Sequence, residues 1–133
     1  MSELLARAPD LDRTVDGSRM LLWLRSDLVV SRIEGHFSRA LAEALVEHSE
    51  PLIRRSGAFV GLHDWTEMPS FDILVPPRLA AWTIGLLPHI ARIVIATGHP
   101  LVSMAVRTTN LTIKRIEHLD SREAWLDVVR RAT

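Results

Sequence analysis

Between His63 and Pro77 the chain reads His-Asp-Trp-Thr-Glu-Met-Pro-Ser-Phe-Asp-Ile-Leu-Val-Pro-Pro, its densest set of groups able to do chemistry. Asp64, Glu67 and Asp72 are carboxylates suited to proton transfer. Thr66 and Ser70 are hydroxyls, open to phosphorylation or to ordinary loop hydrogen bonds. Thr97 and His99 follow the next apolar run, so a sheet rim that gathers Asp64 with His99 would pair a carboxylate with an imidazole, as a hydrolase needs. His63-Asp64 also has the composition of a metal-ligating pair. Consecutive strand residues point to opposite faces, which keeps the two from one ion.

No further metal or cofactor signal supports the stretch. The histidines at 36, 48, 63, 89, 99 and 118 include no i, i+4 pair and no His-Glu-x-x-His. Cysteine is absent, which removes thiolate catalysis, disulfides and Cys-based zinc sites. The glycines at 17, 35, 57, 61, 85 and 98 match neither a dinucleotide fingerprint nor a P-loop. The expectation is no catalytic residue, no metal and no cofactor.

The second half of the stretch is apolar. Phe71, Ile73, Leu74 and Val75 precede Pro76 and Pro77, which bias the residues before them toward extended backbone. Packed down, they form a lid over the core. Left exposed beside Trp82, they form a contact surface for a protein or an apolar ligand.

Composition narrows the partners. At 133 residues, 47% apolar and 24% charged, the chain has the make-up of one globular domain. The net charge is zero, with 15 Arg and one Lys, Lys114, so no field favours nucleic acid. No run is long enough for a membrane span and none reads as a signal peptide. A cytoplasmic location is expected.

The elements that must position these residues follow from the apolar pattern. Residues 1–17 read as a loosely ordered lead-in. Met20 to Leu24 and Leu28 to Ile33 read as strands around an Arg25-Ser26-Asp27 turn. Ser38 caps a helix that Pro51 ends or kinks, and Phe59 to Leu62 is a central strand. The next helix begins near Pro76 or Pro77 and carries Leu79, Ala80, Trp82, Ile84, Leu86 and Leu87. It is apolar most of the way round and so must bury more than one face. Ile93 to Ala96 is a buried strand, Pro100 opens a helix, and Lys114 to His118 is a weak strand. Asp120 to Glu123 reads as a capping box before a helix that turns Trp125, Leu126 and Val129 inward. The order is β-β-α-β-α-β-α-β-α: an α/β domain over 18–133, with a mostly parallel sheet after an N-terminal hairpin and helices packed outside.

The strand ending in His63-Asp64-Trp65, the Phe71-Asp72 and Leu79-to-Trp82 segment, Ile93 to Gly98, and His118-Leu119-Asp120 to Trp125-Leu126 carry a resemblance. In this order they resemble the STAS superfamily, that of the anti-sigma-factor antagonists, in its divergent SpoIIAA-like or STAS–SEC14-type branch. The resemblance implies a switch loop after the central strand, opening with an acidic or amide residue. About eight positions later an Asp-Ser-Ser-Gly run carries the phosphorylated serine. With Asp64 in the first place, Asp72 takes the Asp of that run, and Ile73, Leu74 and Val75 stand where Ser, Ser and Gly belong. Ser70 and Thr66 are the remaining hydroxyls for a phosphosite.

Two readings follow. The first is a non-enzymatic regulatory or protein-interaction module, contacting a partner or a second copy through Asp64, Trp65, Ser70, Phe71, Asp72, Leu74 and Trp82. The alternative is a carrier or sensor of an apolar small molecule or lipid, since SpoIIAA-like proteins are similar in fold to lipid carriers. A hydrolase using the Asp64/His99 rim is the third.

Overall fold

Asp16 and Gly17 turn the chain with φ of 50° and 84°. Two positive values make the type I′ turn of a tight hairpin. They join β1 (Leu11–Val15) to β2 (Ser18–Arg25), with Val15 opposite Ser18. A second two-residue turn, at Ser26 and Asp27, leads into β3 (Leu28–Glu34), as expected. The structure is a computed structural model and describes residues 3–133. Much of the expected lead-in is therefore ordered: α1 (Glu3–Ala6) buries Leu4, and β1 is an edge strand. Its alternation of Leu11 and Val15 with Asp12 and Thr14 is the mark of a half-buried strand. Met1 and Ser2 lie outside the described residues.

Beyond β3 the chain alternates: α2 (Arg39–Arg55), β4 (Phe59–Glu67), α3 (Val75–Leu86), a 3₁₀ turn (Leu87–His89), β5 (Ile90–Thr97), α4 (Pro100–Ile113), β6 (Ile116–Leu119) and α5 (Arg122–Ala132). The six strands lie in sequence order, antiparallel up to β3 and parallel from β3 to β6. This is the expected α/β architecture with one further N-terminal strand. Because the parallel strands advance in one direction, crossovers of one hand must all pass over one face. The helices α2, α3 and α4 accordingly cover one face of the sheet, and α1 and α5 cover the other.

Local features meet expectation at Ser38 and at the prolines, and differ from it between Asp72 and Val75 and at the cap of α5. Pro51 sits inside α2, and the helix runs on for one more turn to Arg55. Ser38 caps its start by accepting from Leu41 N–H at 3.2 Å. The segment from Asp72 to Val75 is a turn rather than extended chain, closed by Val75 N–H on Asp72 C=O at 2.9 Å. Pro76 and Pro77 then occupy the first turn of α3, where a missing N–H costs nothing. At α5 the cap is Ser121, accepting from Ala124 N–H, so the expected capping box is one residue out of register. No helix among the described residues is long and apolar enough to cross a membrane.

Candidate functional site

The strand β4 lies between β3 and β5, and it extends five residues beyond the expected Leu62, to Glu67. His63 pairs with Ser31 and Ile95, Asp64 with Arg32 and Ala96, and Trp65 with Thr97. Alternation sends Gly61, His63 and Trp65 to the three-helix face and Leu62 and Asp64 to the α5 face. The His63-Asp64 pair is therefore divided between the two sides of the sheet.

Asp64 is fully buried. Arg122 Nε donates to it at 2.7 Å and Arg32 Nε at 3.2 Å. Its other oxygen accepts from Thr66 N–H and Thr66 Oγ1 at 3.1 and 2.7 Å. Arg122 also holds Glu67 at 2.7 Å. Burial works against the Arg122 charge, but the two carboxylates outweigh it and raise its pKa above the usual value. A carboxylate so enclosed anchors α5 to the sheet.

The remaining polar rim residues form two further groups. His36 bonds Ser70 Oγ and Asp72 Oδ1, each at 2.8 Å, and the second Asp72 oxygen accepts from Arg39 N–H at the start of α2. These bonds hold the Asp72 carboxyl below the usual carboxylate range, His36 contributing most. Thr97 Oγ1 meets Ser103 Oγ at 2.5 Å and His118 Nε2 at 2.6 Å. His99 precedes α4 and makes no side-chain cap. No bond joins Asp64 to His99 among the described residues. None of their His, Asp and Glu side chains group in threes at metal-ligand spacing.

The apolar half of the loop divides in the same way. Phe71 forms a β-bridge with Phe37 and is half-buried, and Val75 is buried. Ile73 is 84% exposed and Leu74 54%. Trp82 is half-buried and donates its indole N–H to Glu50 at 2.8 Å. Ile84 on α3 and Leu101, Met104 and Leu111 on α4 are exposed as well. The last three recur at helical spacing, so the outer side of α4 carries an apolar stripe that nothing among the described residues covers.

Beneath α3 and α4 the packing leaves a cavity of about 120 Å³. Phe37, Phe59, Met68, Trp82, Val102 and Val106 are among its walls, and no charged side chain lines it. The polar groups on it are few. His63 is half-buried on the cavity wall, and burial pushes its imidazole down to about 4. It bonds Ser31 Oγ through Nδ1 at 2.7 Å, and Trp65 Nε1 donates to the same oxygen at 3.2 Å. Ser49, on the α2 stripe Leu45-Ser49-Ile53, lines the cavity fully buried with no partner for its hydroxyl.

Sequence reasoning named His63 and Trp65 but passed over Ser31, Ser49 and Gly61. A signal was present. Ser31 interrupts the apolar run of β3 on its inward side, and Ser49 interrupts the inward stripe of α2. A polar residue at a core position asks for a partner.

No protein-family model matches the chain, and no curated protein matches it in sequence. Among solved structures it is similar to an uncharacterized protein of the DUF3478 family from Shewanella loihica PV-4, described as having a SpoIIAA-like fold. The TM-score is 0.61 at 15% identity, over 90% of this chain and 98% of that one. At that identity the likeness concerns architecture. The chain has the SpoIIAA-like fold that its strand order and central loop suggested.

Proposed function

We propose that the protein is a non-enzymatic STAS-like module that holds a small apolar molecule between its sheet and the α3–α4 pair. The observation that carries this reading is the cavity, with largely apolar, uncharged walls and the Ser49 hydroxyl buried on it without a partner. Protein interiors are normally close-packed, and a recess of this kind forfeits dispersion contacts of its lining. A mostly apolar recess with a few placed polar groups is the usual form of a small-molecule site. The sealed state of Asp64 favours holding over acid–base turnover. Native mass spectrometry of gently purified protein should show a small adduct, lost on denaturation. A clean mass, with no melting-point rise on adding small apolar compounds, would remove the reading.

A second reading concerns the outer side of the same helices. Ile73, Leu74, Ile84, Leu101, Met104 and Leu111 expose apolar surface where partner contact or self-association would bury it. A regulatory role would then link cavity occupancy to that contact. Sedimentation at micromolar concentration should show a dimer that Leu111→Glu weakens. A monomer for both proteins would rule out self-association.

A further inference from the structure

Three side chains form a chain of hydrogen bonds that fixes which His63 nitrogen carries a proton. Trp65 offers only a donor, its indole N–H, directed at Ser31 Oγ at 3.2 Å. The Ser31 hydroxyl has one hydrogen, and its other neighbour at bonding distance is His63 Nδ1 at 2.7 Å. Were Nδ1 protonated, two hydrogens would point at Ser31 Oγ and the hydroxyl's own hydrogen would have no acceptor. Ser31 is fully buried, so that arrangement is costly. The order Trp65 N–H to Ser31, then Ser31 O–H to Nδ1, satisfies the indole, the hydroxyl and Nδ1 together. It leaves the His63 proton on Nε2.

That N–H has no protein partner among the described residues. Gly61 keeps the space beside it open, since a Cβ there would stand 2.8 Å from Nε2. Burial keeps the ring neutral at ordinary pH, so it brings no charge to pair with an anion. The cavity offers no cationic side chain either. A carboxylate entering it would be stripped of water with no compensation. The space is a little smaller than the engineered apolar cavity of about 150 Å³ that binds benzene.

Resting on the reading of this cavity as a ligand site, we infer that its occupant is an uncharged, ring-sized apolar molecule with one hydrogen-bond acceptor. A carbonyl oxygen is the simplest such group. His63 Nε2–H donates to it, and the hydroxyls of Ser49, Thr83 and Thr109 are the further polar groups on the walls.

Three probes test the inference on the intact protein: cyclohexanone, methylenecyclohexane (the same shape without the acceptor) and cyclohexanecarboxylate. Long-range ¹H–¹⁵N NMR, with His63→Asn for assignment, should show Nδ1 unprotonated in the free protein. Cyclohexanone should bind about tenfold more tightly than methylenecyclohexane and shift the Nε2 signal. The carboxylate should not bind. His63→Phe should erase the ketone's advantage. If that variant does not fold, Gly61→Ala, whose methyl group meets Nε2, should erase it by the same route. An Nδ1–H tautomer, equal affinity for the two neutral probes, an advantage that survives in the variants, or carboxylate binding would each overturn the acceptor assignment while leaving the cavity as a ligand site. Failure of both neutral probes to bind would overturn the two together.

Discussion

Arg122 and Asp64 join the first turn of α5 to the middle of β4 through a 2.7 Å bond whose carboxylate end is sealed from water. Arg32 and Thr66 complete the shell of Asp64, so this contact fixes one helical layer onto the sheet. Removing the buried carboxylate leaves Arg32 without its partner and Arg122 with Glu67 alone. Asp64→Asn should therefore lower unfolding free energy by about 1.5–3 kcal/mol in urea titration. A loss below about 1 kcal/mol would show that solvent reaches the pair.

His63 predicts an acid-sensitive step. Its ordinary value of 6.5 falls to about 4 in the fold because burial disfavours the charged ring. Between these values the unfolded chain binds the extra proton, so stability falls as pH drops from 6.5 toward 4 and is level below. The span corresponds to at most about 3 kcal/mol. The difference between wild type and His63→Gln, followed by thermal melts across this range, should show that slope. A flat difference would contradict the burial of the ring.

Ser49→Ala should stabilise the ligand-free protein. The hydroxyl is buried without a partner, and alanine suits a helix interior better. A gain of about 1 kcal/mol in chemical denaturation is expected, with weaker ketone binding. A loss of similar size would mean that the hydroxyl already has a partner.

Asp72→Ala should act locally. The carboxylate ties His36 and the first turn of α2 to the loop over residues 70–75. Hydrogen exchange at residues 70–75 should accelerate while the melting temperature changes little. Because the Asp72 carboxyl is held low, its contribution is present above the ordinary carboxylate range and lost on acidification through its lowered value. Unchanged exchange would show that the Phe37–Phe71 bridge holds the loop alone.

The alternation of apolar runs with helical patterns was enough to place β2 through α5, because each such element carries its own periodicity. The site was less legible. His63 and Asp64 read as the end of a strand and Thr66 and Glu67 as loop, because polar residues follow the apolar run. The groups that satisfy His63 and Asp64 lie 32 and 58 positions away, at Ser31 and Arg122, beyond the reach of any local window. Asp16-Gly17 was a local hairpin signal, but the charged strand before it hid the edge of the sheet. The cavity has no sequence signature, since it arises where α3 and α4 fail to fill the space over β4 and β5.

The order of the strands has a consequence for assembly. The sheet ends in β1 and β6, of five and four residues, and each edge region carries an ion pair, Asp12–Arg19 at one end and Arg92–Glu117 at the other. Short, charged borders are poor templates for adding a foreign strand. Growth by edge-to-edge pairing is disfavoured at both borders, which leaves side-chain packing on the helical layer as the route by which copies would associate.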